Sequence, residues 1–315
     1  MKKSNLFVLL TIALIGITLQ ACREQQKHKR QLIITIDDLP LVYPTTADSA
    51  IQMTEKLLSI LTKYNIESVG FVNEGKVVDS PHSKTLHKTL EMWLANGQEL
   101  GNHTYSHYSL NEVSTDSFKN DILLNEKYLK PLMEKHGQTL RYFRHPYLQT
   151  GGDSLKKERI DQFLETNGYT QALITSGYYD WLYAAAYRNV HGKPELEEKV
   201  ANAYIDYINR DLDFNEYAAN LVVGREIPMV MMFHANTLNA DHFEKVIQVI
   251  HQRGYEIVTL EEALQDTIFQ LGNPIVTTQP MGWLQRWAIH KGIPVDTLLQ
   301  VDPFIPELAN FKMSR

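Results

Sequence analysis

The chain has 315 residues, 43% of them hydrophobic, and a formal charge of −6 at pH 7. That length suits one large domain or two small ones. A mildly acidic chain with no long basic run excludes nucleic acid as the main partner.

At the N-terminus, Lys2 and Lys3 precede an apolar stretch from Leu6 to Leu19, followed by Gln20, Ala21 and Cys22. This is the order of a secretory signal, and it is short for a membrane span. Cys22 is the only cysteine, so no intrachain disulfide is expected. It sits where bacterial lipoproteins carry their lipidated cysteine, and the Leu-x-Ala-Cys stretch resembles their cleavage box. Residues 1–21 therefore read as a lipoprotein signal peptide and 22–31 as a lipidated cysteine on a polar tether. The expected location is the bacterial cell envelope, with a lipid anchor on the periplasmic or cell-surface side. Loss of the leader removes two lysines and no acid, which takes the charge from −6 to −8.

From residue 32 onwards, short β-type runs alternate with longer helical patterns. Strands are predicted at Leu32–Ile36, Ser68–Val72, Glu99–Asn102, Tyr142–Arg144, Gln171–Ile174, Met229–Phe233 and Glu256–Thr259. Helices are predicted at about 47–64, 84–96, 115–135, 155–167, 240–252 and 261–269. Such alternation implies parallel pairing through βαβ units. Seven units suggest an incomplete barrel rather than an open sheet. The domain is placed at 32–270. Residues 182–224, poor in Gly and Pro, read as a helical insertion. Residues 271–315 form a C-terminal extension in which Trp283 and Trp287, spaced i, i+4, are expected to pack on the barrel. Oligomeric state is not legible.

Nearly every residue with chemical potential follows a predicted strand, the end at which α/β barrels build their sites. Asp37 and Asp38 close the first strand. Adjacent carboxylates at a strand end point in different directions, so one can bind a metal while the other takes a proton. His103 and His107 have the i, i+4 spacing that lets two imidazoles face one way in a helical turn. Three of these four groups could hold one metal and leave the fourth as a base; one carboxylate with two imidazoles is a set that catalytic zinc uses. Arg144 could orient a carboxylate through a two-pronged contact. Pro146 stiffens the loop that follows, and His145 is either a polar contact or a filled loop position. Asp180 and Trp181 pair a carboxylate with a ring suited to a sugar or an apolar wall. His234, at the end of the sixth strand, could give a proton to a leaving group.

Together these motifs resemble the polysaccharide deacetylases, the chitooligosaccharide-deacetylase homology domain of carbohydrate esterase family 4. Thr35-Ile36-Asp37-Asp38 is similar to the family's Thr-Phe-Asp-Asp. His103-Thr104-Tyr105-Ser106-His107 matches His-(Ser/Thr)-x-x-His, and Arg144-His145-Pro146-Tyr147 matches Arg-x-Pro-Tyr. Asp180-Trp181 resembles the end of the fourth motif, and Met232-Phe233-His234 resembles Leu-x-His. The resemblance covers residues 32 to about 265. It implies a distorted (β/α)7 barrel, here with a helical insertion and a C-terminal extension. It implies that Asp38, His103 and His107 bind a metal, usually Zn2+, with Co2+ or Ni2+ as alternatives. Asp37 would be the base that activates a zinc-bound water, held by Arg144. The Tyr147 N–H would help stabilise the oxyanion, and His234 would be the general acid. Trp181 would wall the acetyl pocket, Asp180 would support His234 or the substrate, and His145 is counted with the substrate contacts. Departures are Gly177, where the family often has another Asp, Met232 where Leu is common, and His145 itself.

The expected activity is zinc-dependent removal of N-acetyl groups from an amino-sugar oligo- or polysaccharide. The alternatives are the same hydrolase acting on an O-acetyl glycan or a non-sugar amide, and an inactive glycan-binding lipoprotein.

Overall fold

The structure, a computed structural model, describes residues 30–42, 46–294 and 300–312. The expected signal peptide, Cys22 and most of the tether lie outside the described residues. Seven strands are present: β1 (Arg30–Leu39), β2 (Val69–Val72), β3 (Glu99–Asn102), β4 (Tyr142–Phe143), β5 (Thr170–Gln171), β6 (Met229–His234) and β7 (Tyr255–Ile257). The helices are α1 (Ala47–Lys63), α2 (Glu74–Val78), α3 (Ser83–Ala95), α4 (Thr115–Lys135), α5 (Ser154–Thr166), α6 (Asp180–Asn189), α7 (Pro194–Val223), α8 (Thr237–Gln252), α9 (Leu260–Ala263), α10 (Trp283–His290) and α11 (Phe304–Leu308). Among the described residues no helix is long and apolar enough to cross a membrane.

β1 is apolar along most of its length because both of its faces are covered. Leu32, Ile34 and Ile36 join the large core shared with the helices. Ile33 belongs to a second, smaller cluster with Val69, Phe71, Tyr142 and Val230. Strand alternation therefore puts Thr35 and Asp37 on the same side as Ile33.

The sheet order is β5-β4-β3-β2-β1-β6, all parallel, with β7 beside the start of β1. A parallel bridge between Ser176 and Met231 brings the segment after β5 against β6. The sheet thus curls back on itself as a distorted (β/α)7 barrel. This closure explains why β5 is shorter than the predicted Gln171–Ile174: the chain leaves β4 after Gln171 and meets β6 at Thr175, whose N–H donates to the Val230 carbonyl. The predicted helix over 261–269 is broken into α9 and a 3-10 turn, Thr267–Leu271, with Asp266 capping the second piece.

The insertion forms α6 and the 30-residue α7, roughly 45 Å long. α7 buries Tyr204, Tyr207, Ile208 and Leu212 and ends at Gly224 in the left-handed conformation. In the extension, the Trp283 N–H donates to the Ile174 carbonyl at 2.8 Å, and both Trp283 and Trp287 donate ring N–H groups to the Gly272 carbonyl. Trp283 is buried, so α10 is seated on the barrel wall.

Gly177, where the family pattern often has Asp, has φ +96, and a Cβ there would lie 2.2 Å from the Met232 carbonyl oxygen. The close approach of this loop to β6 permits no side chain. Gly177→Ala should cost on the order of 3 kcal/mol, from backbone strain and overpacking together. Chemical denaturation would reveal it as a lowered midpoint; an unchanged midpoint would mean the loop is free to move away from β6.

Candidate functional site

Parallel strands deliver their C-terminal ends to one mouth of the barrel, and the register fixes which residues meet there. β1 pairs with β6 so that Asp37 lies opposite His234. Its register with β2 shifts between Ile36 and Leu39, and within that irregularity Asp38 takes φ +68. The bulge is what turns two adjacent carboxylates in different directions.

The described residues contain seven non-glycine positions with positive φ, and five of them are Asp38, Thr104, His107, Tyr147 and Leu148. For β-branched Thr104 this is a genuine outlier. Strain gathered in this way persists only where the surroundings over-determine it, and it marks functional loops. Here the surroundings are buried amides. Asn102 Oδ1 accepts from the Thr104 N–H at 2.8 Å and from Asn125 Nδ2 at 2.9 Å. Asn73 Nδ2 donates to the Thr104 carbonyl, and Asn125 Nδ2 also donates to the Val72 carbonyl.

Asp38, His103 and His107 each offer a ligand atom within 4.8 Å of the other two. The set fits a divalent ion on chemical grounds. His103 Nδ1 lies 2.8 Å from the Arg144 carbonyl, which can only accept. The proton is thereby placed on Nδ1, and Nε2 presents a lone pair toward Asp38, 4.0 Å away. His107 Nε2 lies 3.4 Å from the same Asp38 Oδ1. Burial pushes both imidazoles down to about 3, so they are neutral, as ligands must be. Burial alone would raise the Asp38 carboxyl, but Lys76 and the histidines hold it well below the usual range.

Asp37 is buried on the inner side of β1. Arg144 Nη1 donates to Asp37 Oδ1 at 2.6 Å and to Thr35 Oγ1 at 2.7 Å, and its Nε donates to the Ala172 carbonyl. The contact with Asp37 is therefore one-pronged rather than the expected two-pronged, because the rest of the guanidinium is turned to the β5 segment and stacks over Phe71 at 4.2 Å. Burial raises the Asp37 carboxyl by more than the Arg144 charge lowers it.

Across the mouth, His234 Nδ1 lies 2.6 Å from Asp180 Oδ1, and Asp180 Oδ2 accepts the His234 backbone N–H and Asn239 Nδ2. Burial works against charge on this imidazole, but the Asp180 carboxylate and its hydrogen bond override it and lift His234 to about 9. Tyr204 of the insertion donates to Asn239 Oδ1 at 2.6 Å.

These groups share one cavity of about 650 Å³, also lined by Tyr147 and Trp181. Tyr147 is half-exposed, with its ring edge-on to His107. Trp181 donates its ring N–H to the Tyr178 carbonyl. His145 borders the cavity but is buried against Phe118 and Phe143, with both ring nitrogens closed off and unpartnered. Two aromatic neighbours hold its ring, as a filled loop position would have it, while the residue still lines the cavity.

Three contributors were not legible in the sequence. Lys76 Nζ lies 2.9 Å from Asp38 Oδ1. It follows β2 as the other site residues follow their strands, but a lone lysine in a five-residue helix gives no signal. Phe214 reaches the cavity from the insertion. Asp211, also on α7 and fully buried, accepts from Ser176 Oγ and from the Gly177 N–H at 2.8 Å. Tyr207 adds a bond from the Tyr179 N–H to its hydroxyl. The insertion thus clamps residues 176–179, the run that delivers Asp180 to His234.

A barrel mouth with this triad, a paired carboxylate and a paired imidazole defines a candidate metallohydrolase. Residues 24–171 match the polysaccharide deacetylase family model. The chain is 25% identical over 233 residues to a chitin deacetylase of Colletotrichum lindemuthianum, covering 72% of this chain and 80% of that one. It is 28% identical over 138 residues to a peptidoglycan-N-acetylglucosamine deacetylase of Bacillus cereus, covering 44% and 43%. Among solved structures, peptidoglycan deacetylase PdaC of Bacillus subtilis is 21% identical, with a TM-score of 0.46 over 76% of this chain and 91% of that one. A family 4 pseudoenzyme of Bacillus anthracis is 17% identical, with a TM-score of 0.47 over 75% and 66%.

Asp211→Ala leaves the Ser176 hydroxyl and the Gly177 N–H buried without partners, an expected cost of about 2–4 kcal/mol. Displacement of Asp180 and His234 should also lower kcat by up to about 100-fold while metal content holds. Metal analysis alongside turnover checks this; full activity in a destabilised variant would confine Asp211 to a structural role.

Proposed function

We propose that this protein is a metal-dependent hydrolase, zinc being the expected ion, that removes N-acetyl groups from an amino-sugar oligo- or polysaccharide. One observation carries the reading: Asp37, paired with Arg144, and His234, paired with Asp180, face one cavity together with the Asp38–His103–His107 triad. An ion held by the triad would supply the positive charge that polarises a carbonyl and acidifies a water.

The chain's own groups divide the proton work. Arg144 occupies Asp37 Oδ1, leaving Oδ2 to accept a proton from the attacking water. Burial makes this carboxylate a better base than an exposed one. As the water oxygen bonds to the acetyl carbon, the developing oxyanion needs a donor. We assign that task to the Tyr147 N–H, in the turn between Pro146 and a left-handed Leu148. His234 enters protonated, with Nδ1 committed to Asp180. It gives its Nε2 proton to the amide nitrogen as the C–N bond breaks, so acetate and a free amine leave. Trp181 is assigned to the wall of the acetyl pocket.

We place the protein in the bacterial cell envelope, anchored through lipid on Cys22, on the strength of the leader sequence.

The test is acetate release by zinc-loaded protein from N-acetylglucosamine oligomers, peptidoglycan fragments and acetylated xylan. Release from the first two, stopped by a chelator and restored by zinc, is the expected outcome. Release from xylan alone would point to an O-acetyl esterase, and bound zinc with no release to a glycan-binding role. Asp37→Asn should keep its metal and lose about 10²–10⁴-fold in kcat. His103→Ala should lose the metal. Loss of metal from Asp37→Asn would mean that the two aspartates exchange roles.

A further inference from the structure

The cavity is walled by segments that a seven-unit barrel does not need. A polymer can be deacetylated at an internal sugar only in a groove with two open ends, because the chain must leave on both sides of the reacting residue. Among the described residues, the loops after β1 to β6 supply the floor, and the insertion and the extension supply further wall. The insertion contributes Phe214; the extension contributes Pro280, Gln285 and Phe311. The extension therefore reaches the cavity twice, once on each side of α11.

Its first passage is pinned to the loops after β3 and β4. The Thr278 carbonyl accepts from Asn111 Nδ2 at 2.8 Å and from Gln149 Nε2 at 3.1 Å. Arg286, which is 2% exposed, donates to the Leu148 carbonyl and to Thr150 Oγ1. Gly282 packs so closely on the cavity residue Tyr178 that a Cβ there would lie 1.2 Å from the Tyr178 hydroxyl. A buried guanidinium and a required glycine are the marks of a fixed wall, not of a loose flap. The second passage sets Phe311 edge-on to Trp181, with ring centroids 5.1 Å apart. α11 before it is held to α6 and α7, because Asp302 accepts from Tyr183 and from Arg210. Pro280 and Gln149 thus line the cavity together, as do Phe311 and Trp181.

At about 650 Å³ the cavity falls within the range of small-molecule sites. Its aromatic walls suit stacking on the apolar face of one sugar ring. Resting on the deacetylase reading above, we propose that the site is a blind pocket taking a single N-acetylated sugar at a chain end, or a free mono- or disaccharide, and that Phe214 and Phe311 set this limit.

The test uses N-acetylglucosamine chains of one to six sugars with the zinc-loaded protein, and mass spectrometry to locate each lost acetyl group. Loss only from a terminal sugar is expected, with kcat/KM changing less than about threefold between two and six sugars. The combined Phe214→Ala and Phe311→Ala variant should raise the six-sugar over two-sugar ratio by about tenfold. Internal removal by the unaltered protein would overturn the pocket while leaving the deacetylase intact. If nothing is hydrolysed, calorimetric titration of Asp37→Asn with the same chains decides. Equal affinity for two and six sugars supports the pocket, and affinity rising with each added sugar overturns it. No binding to any chain overturns both readings.

Discussion

The site depends on keeping Asp37 charged inside the barrel. A buried carboxylate persists only with a partner and with its hydrogen bonds filled. Arg144, just after β4, supplies the partner; its Nη1 also reaches Thr35 of β1 and its Nε the Ala172 carbonyl of the β5 segment, while its Nη2 is buried without a hydrogen bond. One guanidinium therefore ties together three strands whose ends form the mouth. It also leaves one oxygen of Asp37 without an arginine contact. The same burial that makes the pair costly makes the carboxylate basic.

The loops around this pair are held in conformations they would not choose alone. Thr104 and His107 lie in the left-handed region, as do Tyr147 and Leu148. At Thr104, side-chain amides take over backbone partners that a regular strand or helix would have supplied: Asn102 accepts its N–H and Asn73 donates to its carbonyl, with Asn125 bonded to Asn102 and to the Val72 carbonyl. Since the network is fully buried, it is worth more than surface hydrogen bonds of the same length. His103 then gains its tautomer from the Arg144 carbonyl. The backbone of the residue that holds Asp37 thus also orients His103.

What was legible followed from periodicity and from chemistry repeated at strand ends. The alternation of β1 with its neighbours announced the barrel, and the Asp37, Asp38, His103 and His107 positions stood out because four reactive groups followed strands. Arg144 was legible as a residue and not as a geometry, since nothing local says that its second prong would turn to Ala172. His145 was left open between a polar contact and a filled loop position because the ring that stacks on it, Phe118, is remote in sequence. β5 was drawn too long because barrel closure at Ser176 is a tertiary event. Lys76 and Asp211 carry no local signal. A lysine in a five-residue helix and an aspartate in a long amphipathic one both read as solvated until the fold is known.

Asp211 gives the insertion its physical meaning. At Gly177 a side chain would collide with the Met232 carbonyl, so the loop cannot carry its own carboxylate. The insertion brings one from outside, and Asp211 receives the Ser176 hydroxyl and the Gly177 N–H. Tyr204 reaches the same region through Asn239, which bonds Asp180. The helix that orders the acid side of the site therefore also carries Phe214 into the cavity. Orientation of the His234–Asp180 pair and shape of the substrate wall are supplied by one rigid element. A change that moved α7 to widen the cavity would move the His234–Asp180 pair with it, whereas truncating Phe214 alone would not.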